Sequence, residues 1–255
     1  MNGGTPAGYV RVTAGRCTAV ARTEHEADAR ALLGEGTLYE AAARDLAARS
    51  LEGRGIAYSI ALPVSRVRAV VRHNRHGGLL AALTHDYFLP PTRAPRELRT
   101  ALRLAEAGVR TPLVLMYGVE TRLVLLRRAD VVTREIGRGR DLSSYMLPDV
   151  PETERAMAWE ATRALVRSLN TAGARHHDLN VKNILLAPGD DGALVAWVLD
   201  VDRVAFGAAG SATVRLGNAA RLLRSARKWR DRQGAVLDER ELEPLGAERE
   251  PMHLA

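Results

Sequence analysis

The sequence predicts an α+β chain in two lobes, a small antiparallel β-sheet lobe followed by a mostly helical one. Three observations predict it. Short alternating or β-branched runs, such as Ala57–Ile60, Arg66–His73 and Leu113–Val119, crowd the first half. Helical periodicity dominates the second half, and Gly137-Arg138-Gly139-Arg140 reads as a flexible joint between them. The boundary is placed near Ile136, giving residues 1–136 as the sheet lobe with an N-terminal helical extension and residues 137–255 as the helical lobe.

Composition bounds the problem. A chain of 255 residues, 46% of them hydrophobic, can bury a sizeable core, but with 4% aromatics the packing rests on aliphatics and alanine. Cys17 is the only cysteine, which excludes an intramolecular disulfide and fits a reducing compartment. No run of about 18 apolar residues is present. Met1–Pro6 lacks the basic and apolar regions of a signal peptide, so a cytoplasmic location is expected. The net charge is +7, and between Pro63 and Arg140 there are 15 arginines against six acidic residues. That field favours an anionic partner, although a solvated arginine-rich face fits it too. Nucleic acid is disfavoured, because the basic residues are not interleaved with stacking aromatics.

Along the chain, Tyr9–Thr13 reads as a strand. Thr23 with Glu26, and Thr37 with Glu40, read as capping boxes of two helices separated by Gly34-Glu35-Gly36. Gly53-Arg54-Gly55 precedes an alternating run and predicts a tight turn whose side-chain-free amides can approach phosphate oxygens, though a plain hairpin fits as well. Ser65–His73 is the next strand. A short apolar helical run, Leu79–Leu83, follows Gly77-Gly78. Pro95–Ala107 predicts a helix stopped by Gly108, with Leu98, Ala101, Leu102 and Ala105 as its apolar stripe. Leu113–Val119, Arg122–Leu126 and Asp130–Ile136 predict three strands. Leu142–Leu147 predicts a short helix. A longer one begins near Pro151 and carries Ala156, Trp159, Arg163, Val166 and Leu169 on one face. After a loop over Arg203–Gly217, a basic helix runs from Asn218 to Arg230, read as the outer helix of its lobe or as a face for an anionic membrane surface.

The chemistry concentrates in His176-His177-Asp178-Leu179-Asn180-Val181-Lys182-Asn183, followed by an apolar run, a turn, a second apolar run and Asp200. The hairpin brings two carboxylates and a carboxamide together. Phosphoryl transfer needs such a set: one group takes the proton of an attacking hydroxyl, and two hold Mg²⁺ against a nucleotide's phosphates. The pattern is the catalytic-loop and metal-loop signature of protein-kinase-like enzymes. In that pattern a strand lysine contacts the phosphates and pairs with a helix glutamate. This chain has lysine only at 182 and 228, so the strand position falls on Arg72 and its partner on Glu97. Glu135 lies near the end of the strand leading to the joint, which in that pattern is where a nucleotide base meets backbone groups.

These blocks, Gly53-Arg54-Gly55, Arg72-His73-Asn74-Arg75-His76-Gly77-Gly78, Arg96-Glu97-Leu98, Ala129–Arg134, His177–Asn180 with Asn183–Leu186, Asp200–Arg203 and Asn218–Ser225, resemble the bacterial lipopolysaccharide core kinases over residues 53 to 230. The resemblance is greatest to the 3-deoxy-D-manno-octulosonic acid (Kdo) kinases. It implies a protein-kinase-like fold and ATP-dependent phosphorylation of a Kdo hydroxyl, the 4-OH, on an anionic Kdo-lipid A acceptor, with peripheral contact at the inner membrane. By the resemblance Asp178 is the catalytic base, Asn183 and Asp200 bind Mg²⁺, Arg72 contacts ATP, and Glu97 orients Arg72. Gly53, Gly55 and Glu135 are the further nucleotide-binding candidates. Two alternatives stay open. One is a kinase of another hydroxylated acceptor, a heptose or an aminoglycoside-like antibiotic. The other is a kinase-like nucleotide-binding protein without turnover, which the missing strand lysine would favour.

Overall fold

A computed structural model of the chain describes residues 4–51, 55–74, 92–122 and 126–238. Its contacts group into two compact units, Met1–Ala101 with Pro112–Glu135, and Leu102–Thr111 with Ile136–Ala255.

The first unit is built on seven antiparallel strands: β1 (Tyr9–Ala14), β2 (Cys17–Arg22), β3 (Arg49–Leu51), β4 (Ala57–Ala61), β5 (Arg68–His73), β6 (Val114–Arg122) and β7 (Leu126–Arg134), in the order β1-β2-β6-β7-β5-β4-β3. Helices α1 (Glu26–Gly34) and α2 (Leu38–Arg44) cover it. Their Ala29, Leu32, Leu33, Leu38, Ala41 and Ala42 share one buried cluster with Val12, Ile60, Val71, Met116 and Val132 of the sheet. Burial of that apolar area is what holds the helices on the sheet.

Several expectations are corrected here. The first 50 residues are not a helical extension after one strand, because β2 pairs with β1 and joins the sheet through β6. Ala19, Val20 and Ala21 are all buried, so β2 lacks the period-two alternation that marks a half-buried strand. The Thr37–Glu40 capping box forms. The Thr23 box does not: Thr23–His25 is a 3₁₀ turn, and no side chain caps α1. His25 instead binds Asp28 at 3.0 Å, and Asp28 also accepts from the amides of Val64 and Ser65. The three strands expected after Pro112 are two, because β6 runs on through the polar Glu120-Thr121-Arg122 to pair Arg122 with Leu126.

Helix α3 (Ala94–Glu106) ends before Gly108, whose φ of +73° is a left-handed stop. It buries Ala94, Glu97, Leu98, Ala101 and Leu104; the expected Ala105 is exposed. Gly53 and the helical run expected at Leu79–Leu83 lie outside the described residues.

The second unit contains β8 (Arg140–Asp141), α4 (Leu142–Tyr145), α5 (Glu152–Thr171), β9 (Ala174–His176), β10 (Ile184–Pro188), β11 (Leu194–Val198), β12 (Val204–Phe206) and α6 (Ala212–Gln233). The strands form two small antiparallel sheets, β11-β10-β8 and β12-β9. Helix α5 buries Ala158, Trp159, Thr162, Leu165, Val166 and Leu169, so Trp159 is a core residue, while the expected Ala156 is exposed. The stretch read as a loop over Arg203–Gly217 holds β12 and the start of α6. Ser211 Oγ caps α6 by accepting from the Val214 amide at 3.4 Å. An exposed Leu216 and Gly217 hide the helical period there. At Gly217 a Cβ would lie 2.7 Å from Arg175 Nε, so the arginine side chain would have to shift. Val214, Asn218, Leu222 and Ala226 are buried, so one face of α6 belongs to the core. Among the described residues no helix is long and apolar enough to cross a membrane.

Candidate active site

The loop between β9 and β10 is held by its own polar groups. The His176 amide donates to Asn218 Oδ1 at 2.9 Å. On its ring, Nδ1 faces the Asp178 amide at 3.1 Å and Nε2 faces the Leu199 carbonyl at 3.0 Å. A backbone amide only donates and a carbonyl only accepts, so the ring is the neutral tautomer with hydrogen on Nε2. Burial holds the His176 pKa below its usual value, against the opposing pull of the Leu199 carbonyl and the nearby aspartates.

The backbone then turns tightly. Asn180 Oδ1 accepts from the amides of Lys182 and Asn183 at 3.0 and 3.2 Å and caps the 3₁₀ turn Val181–Asn183. The Asp178 carbonyl accepts from Asn180 Nδ2 at 3.0 Å and from Asn183 Nδ2 at 2.9 Å. The second bond orients the Asn183 amide, committing its nitrogen and leaving its oxygen as the ligand-type atom. Leu179, Val181 and Ile184 are fully buried and anchor the turn.

Asp200 reaches the same place through the hairpin. β10 and β11 pair Ile184 with Val198, and the Leu199 amide continues the ladder to the Asn183 carbonyl at 2.9 Å. Asp200 follows in the left-handed region, φ 54° and ψ 48°, a conformation that costs a non-glycine residue about 1 kcal/mol. Asp178, Asn183 and Asp200 therefore belong to one continuous hydrogen-bonded structure. An amide oxygen and a carboxylate are hard oxygen donors of the kind Mg²⁺ accepts beside phosphate and water. Among the described residues no cluster of three or more His, Cys, Asp or Glu could bind a metal unaided.

Sequence reading missed Arg221. Its guanidinium meets Asp178 Oδ1 at 2.5 Å, and its Nε is buried without a partner. Asn218 and Ser225 flank it on α6. Ser225 Oγ accepts from the Val181 amide at 3.2 Å. The spacing Asn218, Arg221, Ser225 puts three polar residues on one helix face. That polar stripe, beside the buried Leu222, is the signal that could have found Arg221.

In the first unit Arg72 sits on β5 between Ala57 of β4 and Val131 of β7, and it forms an ion pair with Glu97 of α3. The Glu97 side chain is 3% exposed and that of Arg72 27%, so the carboxylate is the buried partner. Next to them, His73 Nδ1 lies 2.6 Å from Asp130 Oδ1, and Asp130 Oδ2 accepts from the Tyr39 amide at 3.0 Å. Gly55 lies at a bend before β4. The Glu135 carboxylate is taken up by Arg49 at 2.6 Å, Ser59 at 2.8 Å and Arg68 at 3.1 Å, and its amide donates to the Arg68 carbonyl. Burial would raise the Glu135 pKa, but the bonds from Ser59 and Arg68 more than offset it and hold it low. The Glu135 carboxylate and amide are thus both engaged within the first unit.

Known proteins share this chain's sequence and fold. Residues 41–239 match the model of the "Lipopolysaccharide kinase (Kdo/WaaP) family". A 3-deoxy-D-manno-octulosonic acid kinase of Vibrio parahaemolyticus is 31% identical over 203 residues, 74% of this chain and 80% of that protein. One from Stenotrophomonas maltophilia is 35% identical over 184 residues, 70% of this chain and 68% of that protein. Among solved structures, WaaP in complex with acyl carrier protein superposes with a TM-score of 0.53 at 21% identity, covering 85% of this chain and 83% of that one. A Rio2 kinase–ADP/Mg²⁺–phosphoaspartate complex from Chaetomium thermophilum superposes at 0.50 and 14% identity, covering 95% and 73%. Both likenesses establish the kinase-like α+β fold. With its family match covering most of its length, the chain belongs to the lipopolysaccharide kinase (Kdo/WaaP) family and is an ATP-dependent phosphotransferase.

Proposed function

We propose that the chain transfers the γ-phosphoryl group of ATP to a sugar hydroxyl of the lipopolysaccharide inner core, the 4-OH of a Kdo residue on Kdo-lipid A. The observation that carries this reading is the single hydrogen-bonded structure containing Asp178, Asn183 and Asp200. Asp178 takes the proton of the acceptor hydroxyl as the hydroxyl oxygen bonds to the γ-phosphorus. The bond from that phosphorus to the β–γ bridging oxygen breaks, and ADP leaves with the electron pair. Asn183 Oδ1 and the Asp200 carboxylate would hold Mg²⁺, which offsets phosphate charge when bound. Arg72 contacts ATP phosphates, and Glu97 keeps it in place. Backbone amides of Gly53 and Gly55 contact the nucleotide's phosphates, and the Glu135 carbonyl supplies a base contact.

Exposed Arg224, Arg227, Lys228, Arg230 and Arg232 on α6 suit peripheral contact with an anionic membrane on the cytoplasmic side, where the acceptor is displayed. Sedimentation with anionic but not neutral vesicles tests that contact.

The central experiment is transfer of label from ATP, with Mg²⁺, to Kdo-lipid A, with a heptose acceptor and an aminoglycoside alongside. Labelled Kdo-lipid A is the expected product. Label on another acceptor alone would move the reading to a different kinase. The second reading, nucleotide binding without turnover, rests on the absence of lysine before Lys182. It predicts ATP binding with no labelled product from any acceptor.

A further inference from the structure

We infer that Arg221 is a positioning residue for the reaction, holding Asp178 in the orientation from which its carboxylate meets the acceptor hydroxyl. The inference rests on the role of Asp178 proposed above.

Helix α6 touches the catalytic loop at three successive points. Asn218 accepts from the His176 amide and donates to the Ala174 carbonyl at 2.9 Å. Arg221 grips the Asp178 carboxylate, and Ser225 accepts from the Val181 amide. The outer two contacts fix backbone, whereas the middle one reaches the reacting side chain. A short aspartate side chain has few ways to point, and one guanidinium bond to Oδ1 selects among them.

Arg221 itself is anchored. Leu222, the next residue, and Ala226 are fully buried, so the helix face carrying Arg221 is set by the core. Its Nε is enclosed without a partner, and its contact with Asp178 runs through a terminal guanidinium nitrogen. A fixed cation on a carboxylate also lowers the cost of keeping that carboxylate ionised in a partly enclosed site. The chain lacks lysine throughout its first 181 residues, and this arginine places a permanent positive charge at the reacting carboxylate.

The test compares kcat and the KM for ATP, with Kdo-lipid A as acceptor, across wild type, Asp178→Asn, Arg221→Gln, Arg221→Leu, Arg221→Lys and Asp178→Asn with Arg221→Gln. Arg167→Gln, at an exposed arginine of α5 paired with Glu160, controls for loss of a surface charge. The expected result is a kcat lowered about a hundredfold in Arg221→Gln and Arg221→Leu, because a misplaced catalytic group costs about that much. The KM for ATP is unchanged, Arg221→Lys recovers part of kcat, and Arg167→Gln matches wild type. The double variant is no slower than Asp178→Asn alone, because Arg221 acts through Asp178. A wild-type kcat in Arg221→Gln, or losses that multiply in the double variant, overturns the inference. If neither Arg221→Gln nor Arg221→Leu folds by circular dichroism, the residue is structural and the inference is also overturned. Full activity in Asp178→Asn instead overturns the role of Asp178 and leaves the mechanism, not Arg221 alone, in error.

Discussion

The ring of His176 donates from Nε2 to the carbonyl of Leu199 across 3.0 Å, and this bond joins the catalytic loop to the residue just before Asp200. The same ring receives the Asp178 amide on Nδ1. One buried neutral imidazole therefore sets the backbone on both sides of the site. A charged ring could not accept the Asp178 amide, so protonation breaks the arrangement.

The pH dependence of stability follows from that neutrality. The folded pKa of His176 is held below 6.5 by burial, so between the two values the unfolded chain binds more protons than the folded one. Its contribution to stability is full above about 6.5, falls as pH falls through that value, and levels off below the folded pKa. Urea unfolding of wild type against His176→Asn at pH 8, 7, 6 and 5 checks this. The difference between the two proteins is expected to shrink on the acid side, and a difference constant with pH would contradict it.

Asp178→Asn keeps the shape of the loop, because the loop's bonds use the Asp178 backbone amide and carbonyl. What is lost is the proton acceptor. Its kcat is expected to fall by about 10²- to 10⁴-fold with ATP binding retained. Steady-state transfer to Kdo-lipid A, together with nucleotide titration, separates the two effects.

The catalytic loop was legible in the sequence because its chemistry is local. Asp178, Asn180 and Asn183 bond within a few residues of one another, and one tight hairpin returns Asp200. The long-range partners were not legible in the same way. Arg221 reaches Asp178 from 43 residues away, and its helix begins in a segment whose period is masked by Leu216 and Gly217. Strand β2 escaped because burial on both faces removes alternation. Arg72 and Glu97 were legible as a pair only through the kinase pattern, since neither local sequence names the other. The Thr37 box could be read directly, whereas the Thr23 box was displaced by the His25–Asp28 contact, which depends on a turn at Val64 and Ser65.

Breaking the Arg72–Glu97 pair is expected to act on stability and activity together. Glu97→Ala leaves Arg72 without that carboxylate, and Arg72→Ala takes that guanidinium away from the buried Glu97. Because Arg72 is partly exposed, the loss for either is expected at about 1–3 kcal/mol, below that of a fully buried pair. Arg72→Lys keeps charge but offers no fork. If Arg72 contacts ATP, this variant stays folded while its KM for ATP rises; a change in stability without a change in KM would make the pair purely structural. Thermal melts and ATP-dependent rates on the same preparations provide both readouts.

Among the glycines of the described residues, Gly173 is where one methyl group should do most damage. It follows α5 and begins the turn into β9, with φ at +66° and its carbonyl accepting from the Gly207 amide at 2.8 Å. A Cβ there would lie 2.5 Å from the Gly207 carbonyl oxygen, which is backbone and cannot rotate aside. Gly173→Ala thus adds left-handed strain to a steric clash, and the expected cost is about 2–4 kcal/mol. Gly192 makes a clean comparison, because its φ is +80° but a Cβ there meets nothing within 4 Å. Gly192→Ala should cost only the strain, about 1–2 kcal/mol. Urea unfolding of the two variants separates clash from strain. Kinetics add a second difference: β9 leads directly into His176 and Asp178, so Gly173→Ala should lower kcat as well as stability, whereas Gly192→Ala, in the turn between β10 and β11, should leave kcat unchanged. Equal effects of the two substitutions would mean that the contact between Gly173 and Gly207 does not set the approach to the catalytic loop.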